Sequence, residues 1–503
     1  MNSPKGPSLR QSFIAGAAWM TATRWGLRLL GLVNTAILAR VLAPSDFGLA
    51  ALAMVVVAFI EVWFWLGVET ALIQNKDATP EDYNSAWTLR LIQGALVAIF
   101  TIGISNLAAE FFHEPRLAAV LWVLAPAILV VAANNIGMVK FQKEINFRVE
   151  FLMTLGSKVL SVVVTILLSF WFRNYWALVW GIFSGYFVTF VLSYVVHPYR
   201  PRLCWTRVGA MWAFSKWVMV GNLATFANQK IDELIVGKMF TPHVLGTYSV
   251  ALDLGQMVTN ELARPINRVL FPVLSRMQDD LGRMRYSYVK AVGGVNTVTL
   301  PAGVGLALVA NEAILVLLGD KWLEAVPYLQ VFAIYGAARF IYSGAPGLFT
   351  ALGRVKVLSA LLWAEALVFV GLAVIGGLGY GVIGVALSRL VTAGVIGIAT
   401  VYLLHRIGRI APGDLGRALW RPAVSTLAMA LALVAVGHFT GGAPMLVLTL
   451  SVVVGVVIYC AALLCLWLLS GKPDGVESLA LGMLRSAMGK RPAAAEESTQ
   501  RKM

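Results

Sequence analysis

The chain has 503 residues, of which 59% are hydrophobic and 13% are charged, and its formal net charge is +15. A soluble domain is about half apolar and about a quarter charged, so this composition excludes one large soluble core and fits many lipid-facing helices. The positive charge does not indicate nucleic acid, because the Lys and Arg of membrane proteins collect in cytoplasmic loops.

Apolar stretches of the length needed to cross a bilayer, about twenty residues each, follow one another along the chain. Pro, Gly or charged residues separate them, which is typical of helix ends and turns. The sequence therefore predicts an all-α, polytopic membrane protein with about 14 transmembrane helices. The predicted spans are 14–39, 47–72, 86–109, 117–138, 149–171, 176–196, 211–236, 244–270, 290–317, 324–350, 355–377, 380–404, 418–439 and 443–470.

The distribution of basic residues predicts the orientation of these spans. If the N-terminus is cytoplasmic, the inner loops and tails hold most of the Lys and Arg. The outer connections then hold only Arg40, Arg116, Arg173, Lys238 and Lys321. Cytoplasmic loops are rich in Lys and Arg, so we expect a multi-pass protein of the bacterial inner membrane with both termini in the cytoplasm.

A short internal repeat predicts how the spans are grouped. Residues 39–53 and 237–251 align with a shift of 198, which places Pro44 on Pro242 and Gly48 on Gly246. Both segments join a first helix to a second, and six-helix repeats are typical of transporters. The prediction is two pseudo-symmetric six-helix lobes and two C-terminal helices. The domains are 1–207 (N-lobe), 208–409 (C-lobe), 410–470 (two further helices) and 471–503 (a tail with an interfacial helix at 474–490).

Charges inside spans are the candidate functional residues, since each costs roughly 2.5–3.5 kcal/mol on insertion. Arg24 and Arg28 are four residues apart and share one face of the first span with Gly31 and Thr35. A small-residue stripe of this kind suits a helix that lines a cavity. The alternative is an arginine pair whose long side chains reach the cytoplasmic interface.

The eighth span carries a longer polar stripe, at spacings of three and four residues. Its members are Asp253, Met257, Asn260, Glu261, Arg264 and Arg268. Neutralisation of Glu261 by Arg264 within this helix is an alternative to a ligand role. Pro265 is expected to break the helix locally.

Several other charges have two interpretations at this stage. Asp232 and Glu233, near the outer end of the seventh span, are either functional or simply solvated. The remaining intramembrane charges are as well explained by pairing within the bundle as by binding a ligand: Glu61, Glu69, Lys158, Arg339, Glu365 and Arg389.

The basic residues indicate the chemistry of the cargo. Planar guanidinium groups bind phosphate in bidentate fashion. We therefore expect Arg24, Arg28, Arg264 and Arg268 to line a cavity that binds an anionic, phosphate-bearing substrate. The candidate ion-coupling or cavity acids are Asp253, Glu261, Glu69 and Asp232. The spacing of Cys204, Cys460 and Cys465 matches no metal motif, and no cofactor is expected.

Seven segments, spread over roughly residues 15 to 360, follow the pattern of a known family. They are LARVLAPSDFGLAAL (38–52), GVETALIQ (67–74), YWALVWG (175–181), IDELIVGKMFTPHVLGTYSVA (231–251), INRVLFPVLSRMQDD (266–280), LLGDKW (317–322) and ALGRVK (351–356). In this order they resemble the polysaccharide-transporter family of the MOP flippase superfamily, which also contains multidrug exporters and the peptidoglycan lipid carrier. One departure is Glu233, where the family pattern suggests an amide, and the role of this outer pair stays open.

The resemblance implies a flippase that moves undecaprenyl-pyrophosphate-linked oligosaccharide from the cytoplasmic to the periplasmic leaflet by alternating access. Membrane lipids, a polysaccharide polymerase and a chain-length regulator are the implied partners, and the product feeds exopolysaccharide, capsule or O-antigen assembly. Two alternatives stay open. One is a drug or cation exporter of the same fold, and the other is a membrane glycosyltransferase or polymerase, which the short outer connections disfavour. No nucleotide-binding or nucleophile motif indicates an enzyme.

Overall fold

The structure is a computed structural model that describes residues 9–65, 67–75, 77–144, 147–206, 208–439 and 442–472. The side chains of residues 9–18, 147, 208–221, 264–269, 438 and 439 are not described. The described residues are helical apart from short turns, and they contain no strand. The predicted interfacial helix at 474–490 lies outside them.

The described residues in the first half of the chain form nine α-helices and one short 3₁₀ turn, Ile136–Met138. The α-helices are α1 (Leu9–Val41), α2 (Pro44–Phe64), α3 (Val68–Gln74), α4 (Pro80–Phe111), α5 (Arg116–Ala132), α6 (Val139–Lys143), α7 (Phe147–Phe172), α8 (Trp176–Val196) and α9 (Val208–Met239).

The second half continues with eight described α-helices and two 3₁₀ turns, Asp320–Ala325 and Phe340–Tyr342. The α-helices are α10 (Pro242–Ser275), α11 (Leu281–Leu308), α12 (Ala310–Leu317), α13 (Val326–Arg339), α14 (Ala345–Ala351), α15 (Val355–Gly408), α16 (Pro412–Phe439) and α17 (Pro444–Leu469).

An all-α polytopic membrane fold is confirmed. Among the described residues, eight helices are long and apolar enough to cross a membrane, and nine if α5 and the bent segment after it form one span. Three differences separate this number from about 14. The helices α1, α9 and α10 are 33, 32 and 34 residues long but carry many polar and charged side chains. The predicted span 324–350 is divided between α13, a 3₁₀ turn and α14. The predicted spans 355–377 and 380–404 both lie in α15, which counts once although its backbone is not helical at Gly381. The number 14 stays a prediction.

Three predicted spans differ in detail from the helices. The span 47–72 was too long, because α2 ends at Phe64 and a separate short helix, α3, follows. The span 117–138 bends by 53° after Ala132. In α15 the break lies at Gly381, whose φ of 66° and ψ of −153° are not helical. Only glycine adopts this conformation without strain, so the turn between the two predicted spans depends on it.

Side-chain caps explain where two of these helices begin. Asp46 accepts a hydrogen bond from the Ala43 N–H at 2.9 Å, and Pro44 occupies the first turn of α2, where its missing N–H costs nothing. At α4, the Asp82 carboxylate accepts from the Thr79 N–H at 2.8 Å, and the Thr79 hydroxyl accepts from the Asp82 N–H at 3.4 Å. This reciprocal pair is a capping box, which satisfies donors that the helix itself leaves unpaired.

The chain divides into two compact units, one up to Ser249 with residues 317–322, the other from Val250 to Val316 with the residues from Leu323 on. In the first unit α4 packs on α5, α7 packs on α8 and α1, and α2 packs on α9. In the second unit α11 packs on α13 and α16, and α16 packs on α17. The boundary lies inside α10, whereas the repeat divides the chain at residue 207, so the lobe assignment stays a prediction.

The internal repeat coincides with helix boundaries. The first helix of one copy ends at Val41 and the second begins at Pro44, while in the other copy the boundaries are Met239 and Pro242. Each pair of boundaries is separated by the shift of 198 found in the sequence. The two segments therefore form the same helix–turn–helix corner twice.

The two corners pack on each other, and we call Pro44–Gly48 with Pro242–Gly246 the paired corner. A Cβ atom on Gly48 would overlap the carbonyl of Pro242, and a Cβ on Gly246 would overlap the carbonyl of Pro44. The contact is reciprocal, as expected for pseudo-symmetric elements. Glycine is required at both positions because the backbones approach too closely for any side chain. This contact also explains why the first turns of α10 group with the first unit.

Candidate functional site

Arg24 and Arg28 lie on a face of α1 that is not used for packing on α7. The contact with α7 is made by Gly26, where a Cβ would lie 2.8 Å from the Leu155 side chain. At 3.6 residues per turn, Arg24 and Arg28 lie on the opposite side of α1 from Gly26. In the described part of the chain, no atom outside the local helix backbone lies within 4 Å of the Cβ position of Gly31, on the arginine face. Gly31 thus borders open space.

The arginine face is also distinct from the apolar face of α1. Both arginines are half-buried, and Arg24 makes no hydrogen bond or ion pair with the described part of the chain. The apolar stripe is 44–56% exposed and suits contact with lipid: Trp25, Leu29 and Val33. Arg24 therefore presents an available guanidinium beside open space.

The polar stripe of the predicted eighth span lies on α10. Asp253 is exposed, whereas Glu261 is 5% exposed. The backbone of Arg264 and Arg268 belongs to the same helix, but their side chains are outside the described part of the structure. Convergence of the four arginines on one cavity therefore stays a prediction. The helix α10 continues past Pro265 to Ser275, so the proline does not end the helix, and a local bend there stays a prediction.

Asp232 and Glu233 are buried, so the interpretation that they are simply solvated was wrong. Asp232 is fully buried and accepts a hydrogen bond from the Tyr248 hydroxyl at 3.4 Å. Glu233 is 5% exposed, and its carboxylate lies 2.7 Å from Lys230 Nζ. Buried carboxylates need such donors. Both acids thus have partners on α9 or on the start of α10.

Glu69 does not lie on a membrane-spanning helix, which corrects its assignment to the second span. It belongs to α3, its side chain is 54% exposed, and its Oε1 accepts a hydrogen bond from Arg90 at 2.8 Å. The second span was predicted to continue through the turn at Gly67 because the residues around this turn are apolar. The structure thus gives Glu69 a partner that the sequence analysis did not consider.

Arg90, on α4, is a site residue that the sequence analysis missed. Besides Glu69, its guanidinium donates to the carbonyls of Val131 at 2.7 Å and Ala132 at 3.1 Å. These carbonyls end α5 just before the bend, where a helix leaves its last acceptors unsatisfied. The sequence did contain a signal for it, because Arg90 is the fifth residue of the predicted span 86–109 and is therefore a charge inside a span.

Arg90 and Glu69 line a cavity of about 450 Å³ within the first unit. Its walls come from the helices α2 to α8 and from the turns between them. We call it the first-unit cavity. Its polar lining consists of Glu61, Glu69, Thr70, Arg90, Gln93, Asn134, Asn135, Gln142, Glu150, Thr154, Ser157, Thr189 and Ser193. The described residues contain no group of His, Cys, Asp and Glu side chains that could hold a metal ion.

Intramembrane charges of the second unit contact groups within the bundle. Arg339 lies 4.0 Å from Glu365, which is 7% exposed. The guanidinium of Arg389 lies 3.9 Å from the centre of the Phe369 ring, and the residue is 2% exposed. Stacking on an aromatic face is one of the few favourable environments for a buried cation. These contacts support the pairing interpretation for these three residues.

Comparison with known proteins identifies the family of this chain. Residues 37–327 match the model of the family described as polysaccharide biosynthesis protein. The lipopolysaccharide biosynthesis protein WzxC of Escherichia coli (strain K12) is 26% identical over 391 residues, covering 76% of this chain and 79% of that protein. The succinoglycan biosynthesis transport protein ExoT of Rhizobium meliloti (strain 1021) is 25% identical over 318 residues, covering 63% of this chain and 64% of that protein.

A solved structure shares the fold. The lipid II flippase MurJ in its inward closed conformation matches with a TM-score of 0.72 at 16% sequence identity, over 89% of this chain and 98% of that one. The predicted resemblance to a polysaccharide-transporter family is confirmed by the family match and the relatives. The family match covers more than half of the residues, and the chain belongs to the polysaccharide biosynthesis protein family.

Proposed function

We propose that this protein is a flippase that moves lipid-linked oligosaccharides across the bacterial inner membrane for polysaccharide assembly. Support comes from the family, from relatives described as polysaccharide biosynthesis and transport proteins, and from the flippase fold. The cargo is an oligosaccharide on undecaprenyl pyrophosphate, transported from the cytoplasmic to the periplasmic leaflet by alternating access of the two lobes. Both termini are cytoplasmic, and a polymerase and a chain-length regulator use the product.

One observation carries the cargo assignment, namely the polar face of α1 with Arg24 and Arg28. A pyrophosphate cannot enter the bilayer core unless its charge is compensated, and arginine supplies charge together with two parallel donors. Arg24 makes no ion pair with the described residues and lies beside open space at Gly31. This arrangement supports binding of an anionic headgroup on that face.

Substitutions of Arg28 test the cargo assignment. Arg28→Lys keeps the charge but loses the planar fork, and Arg28→Ala loses both. Loss of one charge-assisted contact should weaken binding by about 1.5–3 kcal/mol. We therefore expect the Arg28→Lys variant to export less polymer than the parent and the Arg28→Ala variant to export the least. Polymer export is measured in a strain that lacks the chromosomal gene, at equal membrane abundance. Arg148→Ala, an exposed arginine at the start of α7, is the matched control and should export normally.

The double variant Arg24→Ala, Arg28→Ala gives the decisive outcome. Lipid-linked intermediate should accumulate in the inner leaflet of cells that carry it. Full export by this variant would refute the cationic site.

Export of organic cations is the second candidate function, and one observation favours it. The first-unit cavity holds three carboxylates, one guanidinium and the Trp65 ring. Acidic and aromatic walls suit a cationic drug. Accumulation of rhodamine 6G in cells with and without the protein separates the two functions, since only an exporter of cations lowers it.

A further inference from the structure

The first-unit cavity is a potential binding site that the proposed function leaves unused. Its volume of about 450 Å³ lies in the range of small-molecule sites. Gly67, Thr70 and Gln142 belong to its lining, in or beside the short helices α3 and α6. The pattern of basic residues places these segments on the cytoplasmic side, where the cargo is made.

Neutral hydrogen-bonding groups dominate the polar lining. Gln93 makes no hydrogen bond with the described part of the chain, and Asn134 Oδ1 is buried there without a partner. A side-chain amide presents a donor and an acceptor side by side, which matches two neighbouring hydroxyl groups of a sugar. A buried amide without a hydrogen-bond partner costs free energy, so a ligand with several hydroxyl groups would stabilise the site by pairing with the amides of Gln93 and Asn134.

The charges of this cavity exclude the phosphate part of the cargo. Arg90 is the one cation among the described residues that line the cavity. Its guanidinium donates to acceptors of the protein, the Glu69 carboxylate and the carbonyls of Val131 and Ala132. Glu61 and Glu150 would repel a pyrophosphate. Carboxylates instead accept hydrogen bonds from hydroxyl groups.

An aromatic surface completes the lining. Trp65 belongs to the cavity wall and is 50% exposed. The face of an indole is apolar and can cover the apolar face of a sugar ring, while the amides bind its hydroxyl groups. A site with one aromatic platform and several neutral polar groups fits an uncharged saccharide.

We infer that the first-unit cavity binds the sugars nearest the pyrophosphate, while the arginine face of α1 binds the pyrophosphate itself. This inference rests on the proposed function and assigns the two halves of one cargo to two places. Recognition of the saccharide is then a property of α4 and of the turn after α5. The carrier lipid and its phosphates are recognised elsewhere.

Binding to two probes tests the inference. Full-length protein in lipid nanodiscs is titrated with undecaprenyl pyrophosphate and with lipid-linked oligosaccharide extracted from the producing strain. Gln93→Leu and Asn134→Leu should each weaken binding of the oligosaccharide probe by about three- to tenfold, the effect of one or two neutral hydrogen bonds, and leave the bare carrier unaffected. Gln74→Leu, an exposed glutamine on α3 outside the cavity, is the matched control.

The outcomes separate this inference from the proposed function. If the unaltered protein binds neither probe, the proposed function fails. If it binds both probes equally, or if the cavity variants weaken both equally, only the sugar assignment fails. Arg24→Ala should weaken both probes. If rhodamine 6G binds tightly in the cavity and neither probe displaces it, the cavity is a cation site and the inference is overturned.

A second measurement does not depend on the folding of the leucine variants. Cys204, Cys460 and Cys465 are replaced by Ser, and Thr154→Cys is introduced in the cavity wall. A thiol reagent should label this cysteine several times more slowly when lipid-linked oligosaccharide is present, and at an unchanged rate with undecaprenyl pyrophosphate. Equal protection by both probes, or protection by neither, would contradict the assignment.

Discussion

The guanidinium of Arg90 lies 2.8 Å from the carboxylate of Glu69 and at the same time caps the end of α5. Its three contacts join α3, α4 and the bend after Ala132. All three elements form walls of the first-unit cavity. One side chain therefore holds the shape of that cavity, and its loss should be measurable as a loss of stability.

Arg90→Ala should destabilise the first unit by about 1–3 kcal/mol, because the carbonyls of Val131 and Ala132 lose their donor. Arg90→Lys should recover only part of this, since an ammonium lacks the planar arrangement of donors. Glu69→Gln should cost less than Arg90→Ala, because the Glu69 side chain is 54% exposed. Thermal unfolding in detergent measures all three. A larger loss for Glu69→Gln than for Arg90→Ala would contradict this role.

The paired corner makes a prediction about conformation. Gly48→Ala and Gly246→Ala each place a Cβ on a backbone carbonyl, so the corner cannot close without displacement. We expect a destabilisation of about 1–3 kcal/mol and greater accessibility of the corner to thiol reagents at an introduced Ser45→Cys. The measurements are thermal unfolding and labelling rate.

Gly416→Ala is the matched control for the corner. Gly416 is also four residues after a helix-initiating proline, Pro412, and has no atom within 4 Å of its Cβ position. Alanine is the better helix former, so this variant should be as stable as the parent or slightly more stable. Equal behaviour of Gly48→Ala and Gly416→Ala would mean that the corner is not closed in the protein as isolated.

Glu114 should make stability depend on pH. Hydrogen bonds from the Arg116 side chain, at 2.7 and 2.9 Å, hold the pKa of Glu114 below its ordinary value. A carboxyl group with a lowered folded-state pKa stabilises the fold above its unfolded pKa, and this contribution disappears as the pH falls through the folded-state pKa. The difference in melting temperature between the parent and Glu114→Gln should therefore be largest near neutral pH and vanish in acid. Glu110→Gln, an exposed neighbour, should show no such trend.

Reporter fusions test the orientation. Fusions after His113 and Arg173, in turns after α4 and α7, should be periplasmic, and fusions after Arg200 and Arg409 should be cytoplasmic. The expectation follows from the excess of basic residues in the inner connections. Alkaline phosphatase activity reports the periplasmic positions. High activity after Arg409 would reverse the assignment of both termini.

The sequence predicted features that have a strong local signal. The corners at Pro44 and Pro242 were found because proline, glycine and a basic residue recur at one shift, and the structure places helix boundaries there. The α1 arginines were found because a charge inside an apolar run is costly wherever the helix packs. In the structure Gly26, on the opposite side of α1, contacts α7, and the role of the arginines stays a prediction.

Features that depend on tertiary contacts could not be predicted in this way. The turn at Gly67 was overlooked because the residues around it are apolar, and Glu69 was misplaced as a result. The neutral side chains of Gln93 and Asn134 disturb hydropathy too little to be noticed. Their importance comes from the bend after Ala132, which brings α4 and the end of α5 to one cavity.

The paired corner is built from backbone atoms, and this has a consequence for how its strength responds to the surroundings. The atoms nearest to a Cβ on Gly48 or on Gly246 are backbone atoms of the other corner. Salt screens interactions between exposed charges, and backbone packing of this kind does not depend on them. The free energy of separating the two corners should therefore respond less to ionic strength than that of an exposed ion pair.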